Sequence, residues 1–114
     1  MIKNKDSLIT TINVNFKDGP GEVSVTPLVT KDEANDKTKM YARLEMKKGS
    51  GIGYHEHHGE KEIIYILDGE AEYNDNGTIT KAKKGDVCIC ESGYGHSITA
   101  TSDKLVIIAN IIYL

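Results

Sequence analysis

Apolar residues recur at every second position along most of this chain. Ile12, Val14 and Phe16 alternate with asparagine and lysine. After the turn residues Asp18-Gly19-Pro20-Gly21, the alternation resumes at Val23, Val25, Pro27 and Val29. Met40, Ala42, Leu44 and Met46 form a third set, opposed by Tyr41, Arg43, Glu45 and Lys47. A period of two sends neighbouring side chains to opposite faces of a pleated strand, so each segment predicts a half-buried strand. Further strands are predicted over 62–67, 70–74, 78–82, 86–90, 96–100 and 104–112, with glycine, asparagine and aspartate between them. Asn76-Gly77 is the strongest hairpin signal, because both central positions of a tight hairpin turn need positive φ. Residues 30–39 are charged and read as a loop with room for one helical turn. No stretch carries a long helical period. About nine short strands with regular turns predict an all-β sandwich or barrel.

Two predicted strands are apolar on both faces. In residues 62–67, Ile64 and Ile66 share one face while Ile63, Tyr65 and Leu67 share the other, and residues 104–114 are almost unbroken. One face can fill the interior; the other needs a second sheet or a second copy of the chain. A homodimer is the expectation.

A length of 114 residues suits a single domain over 1–114, with 1–22 as an N-terminal strand and arm. The net charge of −3 and the absence of a Lys/Arg cluster argue against nucleic acid. The first residues alternate with polar ones instead of forming an apolar leader, and residues 105–114 are too short to span a bilayer. These features predict a soluble cytoplasmic protein without a membrane partner. Cys88 and Cys90, two apart on a strand, lie about 7 Å apart on one face, too far for an easy disulfide. They read as small buried hydrophobes.

Tyr54-His55-Glu56-His57-His58-Gly59-Glu60-Lys61-Glu62 concentrates three of the four histidines. On a strand, His55 and His57 share a face, while Glu56 and His58 point away. Imidazole suits divalent transition metals, and two on one face make half a site. Strand pairing after a short turn at His58-Gly59 could return Glu62 beside them, and the remaining histidine, His96, follows a turn into a new strand. Three histidines and a glutamate form a chemically complete ligand set.

The spacing of Gly49, His55, His57, Glu62 and Gly69 resembles the first motif of the cupin superfamily, over residues 49–69. Gly85, Gly93 and His96 match its second motif, over 85–100, where Glu91 replaces the family's proline and Ala100 its asparagine. The resemblance implies a cupin-type double-stranded β-helix, a jelly-roll barrel, with one divalent metal ion held by His55, His57, Glu62 and His96. Mn, Fe, Ni, Zn and Cu all accept such donors. It further implies a metalloenzyme acting on a small oxygenated metabolite (a sugar, sugar phosphate or carboxylic acid) with isomerase-, decarboxylase- or dioxygenase-like chemistry. The alternative is a non-catalytic, metal-dependent small-molecule sensor.

Around the expected ligands, Glu60 is a candidate acid/base at the mouth. Tyr54 and Tyr94 flank the ligand-bearing segments as candidate substrate contacts, and Ile64 and Ile98 share the ligands' parity as candidate pocket lining. Met40, Ala42, Leu44 and Met46 are expected to add a wall. No basic residue is expected to face inward, since Arg43 opposes the apolar face of its strand.

Overall fold

The computed structural model describes every residue from Met1 to Leu114. It contains ten strands and no α-helix, hence no helix able to cross a membrane. They are β1 (Thr11–Val14), β2 (Glu22–Pro27), β3 (Thr38–Lys47), β4 (Gly51–Glu56), β5 (Glu60–Asp68), β6 (Glu70–Asp75), β7 (Thr78–Lys83), β8 (Val87–Cys90), β9 (Gly95–Ala100) and β10 (Lys104–Tyr113). Six strands form one antiparallel sheet in the order β1-β2-β3-β10-β5-β8, and four form the other in the order β4-β9-β6-β7. The two sheets face each other as a jelly roll.

The period-two pattern decides what lies between the sheets. Leu44, Ile66, Leu105, Ile107 and Ala109 are fully buried, and they join Ile52, Ile64, Tyr73 and Ile98 in one cluster of 17 residues. Each large aliphatic side chain so buried stabilises the fold by about 1.5–3 kcal/mol. Cys88 and Cys90 are buried free thiols, pushed up to about 11 chiefly by burial. Asn76-Gly77 turns the β6–β7 hairpin with φ of 49° and 102°. In the charged segment, Thr30 and Glu33 cap one another, Thr30 N–H to Glu33 Oε1 at 2.7 Å and Glu33 N–H to Thr30 Oγ1 at 3.1 Å. This reciprocal capping box opens a single helical turn.

The N-terminal region departs from the alternation. β1 stops at Val14, and Phe16 sits in a 3-10 turn, because Asn15, Lys17 and Asp18 adopt left-handed φ values of 52°, 53° and 61°. Ile12 and Val14 are largely exposed, since β1 is an edge strand whose partner β2 supplies Val23 and Val25 to the core. β2 likewise ends at Pro27, leaving Val29 outside it.

Gly49 and Gly69, the outer glycines of the first motif, have φ of +85° and +90°. A Cβ at Gly69 would collide with the Lys104 carbonyl, whereas one at Gly49 would meet nothing. Gly69→Ala is expected to cost more stability in urea denaturation than Gly49→Ala, whose loss should stay near the 1–3 kcal/mol typical of backbone strain alone. Equal losses would show that strain, not contact, sets the requirement at both.

Candidate metal centre

The four predicted ligands come together, but by a route other than local strand pairing. β4 and β5 belong to different sheets, so the turn at residues 57–59 carries the chain across the sandwich, and Glu62 faces the histidines from the opposite layer. Gly59 makes this turn with φ of +73°. His96 is the direct cross-strand partner of His55 in the β4–β9 ladder. His57 lies just past the end of β4, where its backbone is gripped by the loop after β8: His57 N–H donates to the Tyr94 carbonyl at 3.1 Å, and Gly93 N–H donates to the His57 carbonyl at 2.6 Å. That loop closes through Tyr94 N–H to the Glu91 carbonyl at 3.1 Å, so the turn forms without the family's proline.

All three imidazoles present Nε2 to one carboxylate oxygen. Glu62 Oε1 lies 2.9 Å from His57 Nε2, 2.9 Å from His96 Nε2 and 3.8 Å from His55 Nε2, while the His57 and His96 Nε2 atoms are 3.1 Å apart. Each far nitrogen has its own partner. His55 Nδ1 donates to the Gly53 carbonyl at 2.8 Å, His57 Nδ1 to Glu60 Oε2 at 2.6 Å, and His96 Nδ1 meets the Tyr73 hydroxyl at 2.8 Å. A carbonyl and a carboxylate only accept, so His55 and His57 carry hydrogen on Nδ1 and turn the Nε2 lone pair inward. Such outer partners are what metal-ligating histidines need.

The donor set fits a cation. Lone pairs from three nitrogens and an anionic oxygen crowd into one spot, with all four donor atoms within 4.8 Å of one another. Two donors about 2.1 Å from a common ion and at right angles lie about 3 Å apart, close to the three shortest separations here. Without an ion, protons must hold these groups together. The His57 imidazole is accordingly raised above its ordinary range, first by the Glu62 hydrogen bond and further by Glu60, against the opposing effect of burial. Burial works to raise the Glu62 carboxyl, but the three imidazoles facing it, His57 and His96 by hydrogen bonds and His55 at 3.8 Å, outweigh it and hold the pKa far down.

A cavity of about 260 Å³ opens beside these donors. Phe16, Met40, Leu44 and Ile111 form its apolar wall, and Lys17, Lys39, Glu56 and Glu60 bring charge to it. Two lysines border the cavity while remaining exposed: Lys39, the second residue of β3, lies where the β3–β10 register shifts, and Lys17 is delivered by the left-handed turn. Glu60 is buried and held between His57 and Lys39, the latter at 3.3 Å. Burial would raise its carboxyl, but His57 and Lys39 together lower it.

Tyr54 and Tyr94 do not line the cavity. Tyr54 points to the outer face of β4, with its ring against the backbone of Gly95, and Tyr94 is half-exposed on the loop. Ile64 and Ile98 are fully buried and line a separate void of about 10 Å³ behind His55, Glu62 and His96. His58 is exposed at the rim, 4.0 Å from Glu56. Tyr73 and the Gly53 carbonyl were not anticipated; the inward parity of Tyr73 with Ala71 on β6 was the available signal for the former.

Architecture and donors together define a jelly-roll protein with a His/Glu metal-binding cluster. A family model described as "Cupin domain" matches residues 42–112, and the chain belongs to the cupin family. It is 43% identical over 101 residues to a Thermotoga maritima protein named "Oxalate-binding protein", covering 88% of this chain and 84% of that one. Among solved structures, a "predicted oxalate decarboxylase" from Thermotoga maritima superposes with a TM-score of 0.95 at 38% identity, over 100% of both chains. KdgF from Halomonas sp. shares the fold at a TM-score of 0.73 and 18% identity, over 97% of this chain and 94% of that one.

Coordination requires the His57 Nε2 lone pair, so a proton on that nitrogen competes with the ion. Because the His57 pKa is raised, metal affinity should be level above that pKa. Below it, affinity should fall by roughly tenfold per pH unit for each proton displaced. Dialysis against Mn(II) at graded pH measures this, with His57→Ala as the variant expected to lose most of its metal at every pH. Retention independent of pH would contradict the proton competition.

Proposed function

We propose that this protein binds a divalent transition metal through His55, His57, Glu62 and His96, and through it a small carboxylate of the oxalate type. The observation that carries this reading is the convergence of four donors on a cavity of about 260 Å³. Four protein ligands on a six-coordinate ion leave two positions, and two oxygens from one small molecule fill two positions. The ion, when bound, supplies Lewis-acid polarisation of those oxygens. The chain's own residues do the rest. Phe16, Met40, Leu44 and Ile111 exclude water from one side, Glu60 and Tyr73 fix the ligand rings, and the lysines offset negative charge on the bound molecule. The names of the two Thermotoga maritima relatives support an oxalate-like ligand.

A decarboxylase is the second reading, favoured by two lysines, Lys17 and Lys39, on the cavity wall as candidate proton donors. Cleaving the carbon–carbon bond of oxalate releases carbon dioxide, and the electron pair left behind takes one proton to give formate, with no external oxidant. Isomerase-like and dioxygenase-like chemistry each have less support here. Calorimetric titration of oxalate into Mn(II)-loaded protein should show saturable binding that disappears after chelation of the metal. Carbon-13 NMR of labelled oxalate then separates the two readings, since formate appears only from an enzyme. Metal-loaded protein that binds no oxalate would overturn both.

We further infer that two copies pair through the outer face of the six-stranded sheet. Tyr65, Val87 and Ile89 are 43%, 56% and 52% exposed there, next to Ile63 and Ile108 in register across β10, β5 and β8. On the same face Asn110 holds a buried Oδ1 with no donor in the chain. Such a contiguous apolar face is complementary to itself about a two-fold axis. Sedimentation equilibrium should give a dimer for the wild type and a monomer for Ile89→Lys. A monomeric wild type would refute the pairing.

A further inference from the structure

The turn over residues 15–19 is the strained piece of this fold. Asn15, Lys17 and Asp18 all occupy the left-handed region that side chains other than glycine rarely adopt. Fasteners hold it there. Asn15 N–H donates to the Gly21 carbonyl at 2.9 Å, Asn15 Nδ2 to the Gly19 carbonyl at 2.9 Å, and Gly51 N–H to the Pro20 carbonyl at 2.9 Å. The turn then lies directly on β4. A Cβ at Gly19 would fall 2.5 Å from both the Gly51 carbonyl oxygen and the Gly53 nitrogen, and a Cβ at Gly53 would collide with the Lys17 carbonyl. Two glycines with no room for a side chain allow the contact. Strain that surrounding structure maintains so firmly is a pointer to function.

What the strain achieves is placement: it sets Phe16 and Lys17 against the cavity beside the metal ligands. The two lysines of that cavity differ. Lys39 is engaged by Glu60, whereas Lys17 has no carboxylate within ion-pair distance and stays exposed on its flexible stem. Glu56, Glu60 and Glu62 against Lys17 and Lys39 leave the wall with one excess negative charge, which a dipositive ion reverses. The loaded cavity therefore attracts anions, and a second carboxylate on the bound molecule needs a cation of its own.

We propose that Lys17 determines specificity for dicarboxylates, taking the oxygens of the ligand that face away from the metal. This rests on the oxalate-type reading above. Gly53 ties the two halves of the site together, because its carbonyl orients His55 while its bare Cα seats the Lys17 turn.

The test compares oxalate with glycolate, which offers a carboxylate and a hydroxyl but no second carboxylate. Both are titrated calorimetrically into Mn(II)-loaded wild type, Lys17→Met and Lys17→Arg, with bound metal measured by elemental analysis. Lys17→Met should keep its metal and lose about tenfold or more in oxalate affinity, with a loss for glycolate below about threefold. Lys17→Arg should restore most of the oxalate preference. Gly19→Ala, checked for folding by thermal melting, should lower the oxalate-to-glycolate ratio as Lys17→Met does. Equal oxalate affinity in wild type and Lys17→Met overturns this inference alone. A wild type that holds metal and binds no oxalate overturns it together with the reading beneath it.

Discussion

Everything at the centre depends on which nitrogen of each imidazole carries hydrogen. The Gly53 carbonyl and the Glu60 carboxylate accept from Nδ1 of His55 and His57, and that choice turns Nε2 toward Glu62, where it offers a lone pair to a cation once any proton there is displaced. Had the far nitrogens been left to water, each ring could present a hydrogen inward, and the cluster would reduce to ordinary hydrogen bonds. The orienting groups come from ordinary backbone and strand geometry, at two and three residues from the ring they hold. Small local distances thereby fix a long-range convergence.

The sheets turn that local chemistry into a site. His55 and His96 are neighbours in one ladder, whereas Glu62 belongs to the facing sheet between Ile111 of β10 and Cys90 of β8. The apolar packing of Leu44, Ile64, Ile66 and Ile107 holds the layers together and so sets the distance between carboxylate and imidazoles. Metal ligation and core formation are thus one problem. The turn at Gly59 solves its topological part by moving the chain between layers within a few residues of His57.

Much of this was legible beforehand, and for physical reasons. Period two is a direct image of a pleated strand with one wet face, which is why nine of the ten strands and the parity of Ile64, Ile98 and the ligands could be read from residues alone. What escaped was conformation that side-chain type does not encode. Nothing in Asn15, Lys17 or Asp18 announces a left-handed backbone, so β1 was expected to run on through Phe16. Glu60 reads from sequence as a candidate acid/base at the mouth, and its pairing with His57 is identifiable only once the turn is closed. Tyr54 illustrates the converse: adjacent to His55 along β4, it takes the opposite face of the strand, while Tyr94 stays on the loop before β9.

Because the donors are shared between two layers, a bound cation joins them as a rivet joins two plates. Separating the layers then requires releasing the ion, so the loaded form gains resistance to unfolding that rises with the logarithm of free metal concentration. Starved copies lack this reinforcement and spend more time open to proteases. The lifetime of the protein in a cell would then follow the supply of its metal, even if no step in its synthesis responded to that supply.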